Sequence, residues 1–237
     1  MDEKEMYTNS WAEQRQREAA STSQNFFQNL KKSLTLTRYD IAHRMMRCNK
    51  GGVFLDVGCG RGEILFMAED IFDDIYGLDI ADDELRRIEE QFLMKKERKV
   101  SLLSCNLNKK WPVESERFDV ITCIAVLEHL FDPYAIVAEF NRVLRPDGIL
   151  IVEVPNIAYL KYRFNILLGK FPGTSGDEAG WDGGHLHYFT VSSLRALLND
   201  NGFECLSIRG SGCLASLRGL WPSLLTSDFC IMAKKIK

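Results

Sequence analysis

Between residues 50 and 155 the sequence alternates short apolar runs with longer amphipathic stretches. The apolar runs, typical of buried strands, are FLDV, IYGLDI, VSLLS, FDVITCI and ILIVEV. The stretches between them have helical spacing of apolar residues and include GEILFMAEDIF, DDELRRIEEQFLMKKE and PYAIVAEFNRVLRPDG. Strands that alternate with helices of this length form a parallel sheet with helices on both faces. The sequence therefore predicts an α/β fold with a doubly wound, mostly parallel sheet.

The rest of the chain surrounds this alternating core. Residues 1–49 are predicted to form an N-terminal helical extension, and residues 50–237 the main domain. Residues 156–187 form an aromatic- and glycine-containing insertion that is too long for an ordinary connection, so we interpret it as a functional cap. A helix capped by Thr190 and stopped by Gly202 follows it. We expect the two closing strands, FECLSIRGSG and SDFCIMAKKIK, to pair antiparallel.

Composition and charge narrow the class of protein. The 237 residues are 46% hydrophobic and 27% charged, which is typical of one soluble globular domain with additions. The net charge of −3 provides no overall basic field for nucleic acid or anionic membrane. Seven cysteines without C-x-x-C spacing indicate neither a zinc ribbon nor a disulfide framework. Because the N-terminus is polar and no run has the length of a membrane span, we expect a cytoplasmic protein.

Three glycines follow the first apolar strand at every second position, in the segment DVGCGRG. Gly58, Gly60 and Gly62 allow the backbone to approach a ligand closely at a strand-to-helix turn. Dinucleotide-binding folds have G-x-G-x-x-G spacing, whereas this spacing is G-x-G-x-G with Asp56 directly before it. A carboxylate at this position suits an ammonium group better than a pyrophosphate. The loop is therefore predicted to bind a small molecule that carries a positive charge.

Asp79 ends the second predicted strand, 19 residues after Gly60. An acidic side chain at this position can accept hydrogen bonds from both hydroxyls of a ribose, in NAD or in an adenosyl cofactor. The alternative is a helix N-cap, a role that Asp82 or Asp83 can fill instead. We favour the ribose role.

The chain from about residue 50 to residue 155 resembles the class I S-adenosylmethionine-dependent methyltransferases. FLDVGCGRGEILFMA is similar to the first motif of that family, and IYGLDIADDEL to the segment with its second-strand acid. The segment from SCNLNKK to ILIVEVPN is similar to the rest of the family's core, in the same order. The resemblance implies a Rossmann-like, seven-stranded sheet with an antiparallel last strand, and S-adenosyl-L-methionine as the cofactor.

The resemblance also implies roles for individual residues. The glycine loop would hold the methionine part of the cofactor beside Asp56, and Asp79 would bind the ribose. Ile80 would pack on the adenine, and Asn106 stands where the family often has an aspartate. Cys59 is interpreted as a small packing residue of the loop and not as a nucleophile. The full set of predicted cofactor-binding residues is Asp56, Gly58, Cys59, Gly60, Asp79, Ile80, Asn106, Leu107 and Ile124.

The predicted catalytic residues follow the fourth strand of the core and end the cap. A base is needed only if the acceptor loses a proton before or during attack on the methyl group. Glu128 and His129 in LEHL and His185 and His187 in GGHLHYFT are candidates, and our predicted set is His129, His187 and Glu128. If the second segment is extended, His185 and His187 share one face, which Phe189 continues. His129 has a packing role as the alternative.

A metal-assisted alternative uses Glu128, His129 and His187 as ligands of a divalent cation. The small-RNA 3′-end methyltransferases look similar here, with a carboxylate-x-x-carboxylate-His motif and a later histidine. In this chain Ala125 occupies the position of the first carboxylate, which removes one ligand. We therefore predict no metal and no nucleic-acid substrate, and we keep an RNA 2′-O-methyltransferase as the alternative.

The cap segment AYLKYRFNILLGKF interleaves aromatic and aliphatic residues with Lys161, Arg163 and Lys170. This segment can form an amphipathic surface for peripheral membrane contact, or a hydrophobic lid that packs on the sheet and excludes water. We favour the lid. We also interpret Trp11, Phe26, Phe27 and Trp181 as lid residues.

The sequence as a whole predicts methyl transfer to an oxygen or nitrogen of a small acceptor, such as a sugar, lipid or secondary metabolite. Ubiquinone-type, methionine-biosynthesis-like and polysaccharide-pathway methyltransferases are the similar types. A non-catalytic cofactor-binding subunit is a further alternative.

Overall fold

The structure, a computed structural model, describes residues 35–95, 99–175, 182–213 and 218–237. Its strands are β1 (Thr35–Leu36), β2 (Val53–Val57), β3 (Asp74–Asp79), β4 (Val100–Ser104), β5 (Phe118–Ile124), β6 (Leu144–Pro155), β7 (Phe203–Gly210), β8 (Gly212–Cys213) and β9 (Asp228–Lys235). Its helices are α1 (Arg38–Met46), α2 (Glu63–Ala68), α3 (Asp82–Lys95), α4 (Pro133–Val143), α5 (Leu160–Leu167), α6 (Val191–Asp200) and α7 (Pro222–Leu225), with a 3-10 turn at Leu127–His129. The predicted packing of Trp11, Phe26, Phe27 and Trp181 lies outside the described residues.

The described ranges form a seven-stranded sheet in the order β4-β3-β2-β5-β6-β9-β7. The neighbouring pairs from β4 to β6 are parallel, whereas β9 is antiparallel to both β6 and β7. This arrangement confirms the predicted doubly wound sheet with an antiparallel last strand and the predicted pairing of the two closing strands. A second, two-stranded sheet joins β1 to β8 and so ties the start of α1 to the end of β7.

Both faces of the large sheet are covered, and β2 shows how the side chains are divided between them. Phe54 packs in a cluster with Ile41 and Met46 of α1, whereas Leu55 packs on the opposite face with Phe140 and Leu198. Successive side chains of a strand point to opposite faces, so a strand with helices on both sides is apolar throughout. Helix α1 is thus part of the main core, while the domain boundary at residue 50 stays a prediction.

Local signals in the sequence fix the ends of the helices. Thr190 is the N-cap of α6, and its hydroxyl accepts a hydrogen bond from the amide of Ser193. Gly202 follows α6 with a φ of 82°, the left-handed conformation that glycine adopts most easily. Both predicted helix ends are therefore confirmed. Asp132 caps α4 in the same way.

The cap begins and ends at the carboxyl edge of the sheet. Asn156, after β6, forms a bridge with Phe189, and its buried side chain donates a hydrogen bond to the carbonyl of Thr226 at 2.8 Å. The described part of the cap contains α5, and none of the residues of this helix is buried. None of the helices in the described ranges has both the length and the apolar content of a membrane span.

Candidate functional site

The carboxyl ends of β2, β3, β5 and β6 lie side by side, so the loops that follow these strands converge on one edge of the sheet. The glycine loop follows β2, and its residues Gly58 and Gly60 have φ values of 72° and 50°. A Cβ added to Gly58 would lie 2.4 Å from a methyl carbon of Val126, in the segment after β5. The loop therefore requires glycine at position 58 for both its conformation and its close packing.

Asp79 joins the glycine loop to the end of β3. Its carboxylate accepts hydrogen bonds from the amides of Gly60 at 2.8 Å and Ala81 at 2.9 Å. Burial raises the pKa of this carboxyl, and the backbone amides oppose the increase. Helix α3 begins at Asp82, and the two amides that donate hydrogen bonds to the Asp79 carboxylate, those of Gly60 and Ala81, both precede this helix. Asp79 is therefore not the helix cap that the sequence left open as an alternative.

Asp56 lies at the carboxyl end of β2 and is almost completely buried. The hydroxyl of Thr122, on the neighbouring strand β5, donates a hydrogen bond to its carboxylate at 2.6 Å. Burial raises the pKa of Asp56 to about 7, although the Thr122 hydrogen bond acts in the opposite direction. A positive charge beside this carboxyl would favour its ionised form.

Cys59 contributes its backbone to the loop, while its side chain points into the core. A Cβ added to Gly77 of β3 would lie 3.0 Å from the Cys59 sulfur, so the thiol packs against that strand. Burial raises the pKa of the thiol well above its ordinary value. Because the thiolate is the reactive form, this environment supports a packing role and not a nucleophilic one.

The predicted adenine side lies beyond β3 and β4. The Cys105 amide donates to the carbonyl of Asp79 at 2.8 Å, which holds the two strand ends together. Asn106 accepts the amide hydrogen of Asn108 through its side-chain oxygen at 2.9 Å, and Leu107 is buried in the core. Ile80 is half-buried after the end of β3.

The 3-10 turn after β5 carries two of the predicted catalytic residues. Burial and the nearby Glu153 raise the pKa of Glu128 to about 8. Its Oε2 atom is buried and has no hydrogen-bond partner within the described ranges. Burial and the neighbouring His185 lower the pKa of His129 to about 4, so this imidazole is neutral at pH 7. The carbonyl oxygen of Glu128 accepts hydrogen bonds from the amides of Leu186 and His187. These two bonds hold the end of the cap against the turn.

The cap brings the ring of His185, and not that of His187, to the side chains of this turn. The ring of His185 contacts the ring of His129 edge-on, with 4.7 Å between the centroids. Its Nδ1 lies 2.7 Å from the Thr174 hydroxyl oxygen and 3.5 Å from a carboxylate oxygen of Asp182. His187 instead places Nε2 3.2 Å from the carbonyl oxygen of Phe131. This differs from the expected grouping of Glu128 and His129 with His187.

Glu128, His129 and His185 are the described residues that could hold a metal ion together. One ligand atom from each of the three lies within 4.8 Å of the others. Both histidines have an oxygen partner near Nδ1, which is the carbonyl oxygen of Gly184 at 3.3 Å in the case of His129. A hydrogen bond to the second ring nitrogen is the usual support for a histidine that binds metal.

The sequence prediction did not include Arg38 and Glu153. Arg38, the first residue of α1, places Nη1 3.5 Å from a carboxylate oxygen of Glu153 on β6. Burial raises the pKa of Glu153 to about 7, and the Arg38 charge opposes the increase. Its second oxygen, Oε1, is buried without a hydrogen-bond partner among the residues described. The signal in the sequence was the single glutamate in the apolar run ILIVEV.

Comparisons with known proteins agree with this arrangement. A family model described as a methyltransferase domain matches residues 11–208. The ubiquinone biosynthesis O-methyltransferase of Actinobacillus pleuropneumoniae serotype 7 (strain AP76) is 28% identical over 124 residues, which are 51% of this chain and 53% of that protein. A probable S-adenosylmethionine-dependent methyltransferase of Mycolicibacterium smegmatis is 25% identical over 169 residues, 70% of this chain and 58% of that protein. The chain thus spans little more than half the length of these two relatives.

Solved structures show the same fold. An S-adenosylmethionine-dependent methyltransferase from Mesorhizobium loti has a TM-score of 0.63 at 16% sequence identity, and the match covers 84% of this chain and 98% of that one. At this level of identity the likeness concerns the fold.

Proposed function

Because the chain belongs to the S-adenosylmethionine-dependent methyltransferases, we propose that it transfers a methyl group from S-adenosyl-L-methionine to an oxygen or nitrogen of a small organic acceptor. The observation that carries the proposal is the link between the two cofactor elements, in which the Asp79 carboxylate accepts the Gly60 amide hydrogen. The name of the ubiquinone biosynthesis O-methyltransferases supports oxygen as the acceptor atom.

In this proposal the cofactor lies along the carboxyl edge of the sheet. Gly58, Cys59 and Gly60 hold the methionine part through their backbone, and Asp56 lies beside its ammonium group. Asp79 accepts hydrogen bonds from the ribose hydroxyls through lone pairs that the two amides leave available. The adenine lies among Ile80, Asn106 and Leu107, and Ile124 ends the strand next to the loop.

The acceptor lies on the other side, at Glu128, His129 and the end of the cap. When bound, S-adenosyl-L-methionine would supply an electrophilic methyl group: the acceptor's nucleophilic atom would form a bond to the methyl carbon as the bond to the sulfonium sulfur breaks, and S-adenosylhomocysteine would be released. His129 takes the proton that the acceptor loses: its imidazole is neutral in this environment, and the pKa of about 4 makes it a weak base. We assign Glu128 to the acceptor side, where its buried Oε2 has no hydrogen-bond partner among the residues described, and His187 borders the entrance. Alignment of the three reacting atoms supplies much of the rate.

Calorimetric titration with S-adenosylmethionine, S-adenosylhomocysteine and NAD tests the cofactor half of the proposal. We expect the first two to bind and NAD not to bind. A screen of hydroxylated and amino acceptors then tests the second half, with His129→Ala and Glu128→Gln as variants that should retain cofactor binding but lose turnover. Preferential NAD binding would contradict the cofactor assignment. Cofactor binding without turnover of any acceptor would favour the non-catalytic subunit.

A second candidate is metal-assisted methyl transfer, which the convergence of Glu128, His129 and His185 favours. A bound divalent cation would polarise the acceptor oxygen and lower the pKa of its proton. Titration with Co²⁺, followed by its visible absorption spectrum, tests this candidate. Nitrogen ligation should give a spectrum that His185→Ala abolishes and His187→Ala leaves unchanged. Absence of Co²⁺ binding at neutral pH would contradict it.

A further inference from the structure

Helix α5 presents a stripe of apolar side chains to solvent. We call Leu160, Phe164, Leu167 and Leu168 the cap stripe; intervals of three and four residues place them on one side of the helix and its C-cap. All four are exposed, Leu167 to 79% and Leu168 to 68%. The lid that the sequence favoured would bury such a stripe on the sheet. The structure instead turns it outward.

An apolar groove continues the cap stripe at the end of α5. The groove has a volume of about 490 Å³ and is lined by Ile157, Ile166, Gly169, Lys170, Phe171, Pro172 and Tyr188. The rings of Phe171 and Tyr188 meet edge-on at its side, with 5.9 Å between centroids. Stripe and groove together form a contiguous apolar surface of a kind that soluble monomers rarely leave uncovered.

Basic side chains surround this surface. Lys161 and Arg163 flank the cap stripe on its two sides, and Lys170 lies at the rim of the groove. In the described part of the cap the one acidic residue is Asp182, which is buried. Residues 156–175, which include α5 and most of the groove lining, contain these three basic residues and no acidic one, although the whole chain has a net charge of −3. Apolar side chains bordered by Lys and Arg are typical of helices that lie in the interface of an anionic membrane.

From the exposed cap stripe, the adjoining groove and the flanking basic residues, we propose that the cap docks the protein on the surface of an anionic lipid bilayer. The apolar side chains enter the boundary between head groups and acyl chains, while Lys161, Arg163 and Lys170 contact lipid phosphates. The loop after the groove leads directly to Thr174, which contacts His185. Docking therefore places the acceptor side of the candidate site next to the bilayer.

Vesicle flotation of the whole chain tests the proposal. The probe is a vesicle of phosphatidylcholine mixed with phosphatidylglycerol, compared with phosphatidylcholine alone. We expect binding to the anionic vesicles that decreases severalfold in about 0.5 M NaCl, where charges are screened over a few ångströms. Leu167→Asp with Leu168→Asp should reduce the bound fraction at least roughly tenfold, because two exposed leucines no longer enter the lipid. Lys161→Glu with Lys170→Glu should remove the preference for anionic lipid.

A matched control uses Leu93 and Met94, which are 68% and 75% exposed at the C-terminal end of α3. Because α3 starts after the carboxyl end of β3 and returns toward the start of β4, these residues lie at the opposite edge of the sheet from the cap. Leu93→Asp with Met94→Asp should bind vesicles like the unchanged chain. Binding of S-adenosylhomocysteine by all variants shows that they are folded and separates this proposal from the proposed function.

Three results would overturn the proposal. The first is that the unchanged chain fails to float with anionic vesicles at low salt. The second is that Leu93→Asp with Met94→Asp lowers vesicle binding as much as Leu167→Asp with Leu168→Asp does. The third is that analytical ultracentrifugation shows a dimer of the unchanged chain that dissociates in the Leu167→Asp, Leu168→Asp variant. In that last case the cap stripe would be covered by a second copy of the chain.

Discussion

The Asp79 carboxylate accepts the Gly60 amide hydrogen at 2.8 Å and so connects the ends of β2 and β3, which lie side by side in the sheet. The same carboxylate accepts the Ala81 amide hydrogen. One acidic side chain therefore fixes the shape of the glycine loop and presents its remaining lone pairs at the position where the ribose is proposed to bind. Its structural and binding roles are coupled.

Replacement of Asp79 should affect both roles, to different extents in two variants. Asp79→Ala removes both acceptors and leaves two amides without their partner, which should lower the free energy of unfolding by about 1–3 kcal/mol. Asp79→Asn retains an acceptor and should cost less stability. Both should weaken S-adenosylhomocysteine binding, because neither offers a carboxylate to two hydroxyls. Denaturant unfolding and calorimetry measure the two effects, and unchanged affinity in Asp79→Ala would exclude the ribose role.

Gly58→Ala should be strongly destabilising, because position 58 combines a positive φ with contact to Val126. We expect a loss of about 2–4 kcal/mol from strain and overpacking. Gly169→Ala is the matched control: its φ is 69°, but nothing lies within 4 Å of the added Cβ. It should cost about 1 kcal/mol. Val126→Ala should partly rescue Gly58→Ala, and equal losses at the two glycines would show that the Val126 contact is unimportant.

The features that the sequence predicted are those encoded by nearby residues. The alternation of strands and helices, the caps at Thr190 and Gly202 and the glycine loop each depend on a short segment with a characteristic period or turn. Asp79 could be placed beside the loop because adjacent parallel strands end at the same edge of a sheet. In each of these cases the local sequence pattern was sufficient to predict the structural feature.

The features that the sequence did not predict depend on contacts between distant segments. Arg38 and Glu153 are 115 positions apart, and the period of β6 does not indicate which helix faces its glutamate. The selection of His185 over His187 depends on the path of the cap across the 3-10 turn. The cap stripe has the same amphipathic pattern in a lid and in an exposed helix, so its direction required the tertiary structure.

Asp56 should make stability depend on pH. Its pKa is raised from 3.8 to about 7 in the folded chain, so the unfolded chain loses this proton first as pH rises. The contribution of the protonated Asp56 to the free energy of unfolding is therefore complete below pH 3.8 and is lost as the pH rises from 3.8 to about 7. Asp56→Asn keeps the acceptor for Thr122 but does not ionise. The variant should gain stability relative to the unchanged chain across this range, by up to about 1.4 kcal/mol per pH unit.

Chemical denaturation of both proteins at several pH values measures this difference. Thr122→Val provides a second check, because loss of the 2.6 Å hydrogen bond raises the pKa of Asp56 further and extends the window to higher pH. A constant difference between Asp56→Asn and the unchanged chain from pH 4 to pH 8 would show that Asp56 ionises normally.

Arg38 should stabilise the fold mainly by compensating the charge of Glu153. Arg38→Met leaves that buried carboxylate without its cation and should lower the free energy of unfolding by about 2 kcal/mol at pH 8. We expect a smaller loss than for a fully buried ion pair because the Arg38 side chain is 35% exposed. Because burial raises the pKa of Glu153 to about 7, the carboxyl is protonated at pH 5 and the loss should be small there. Arg38→Met with Glu153→Gln should recover most of the stability at pH 8, since the double variant contains no uncompensated charge. If the losses measured for Arg38→Met and for Glu153→Gln alone simply add in the double variant at pH 8, the two residues do not interact and their contact does not help to hold α1 to the sheet.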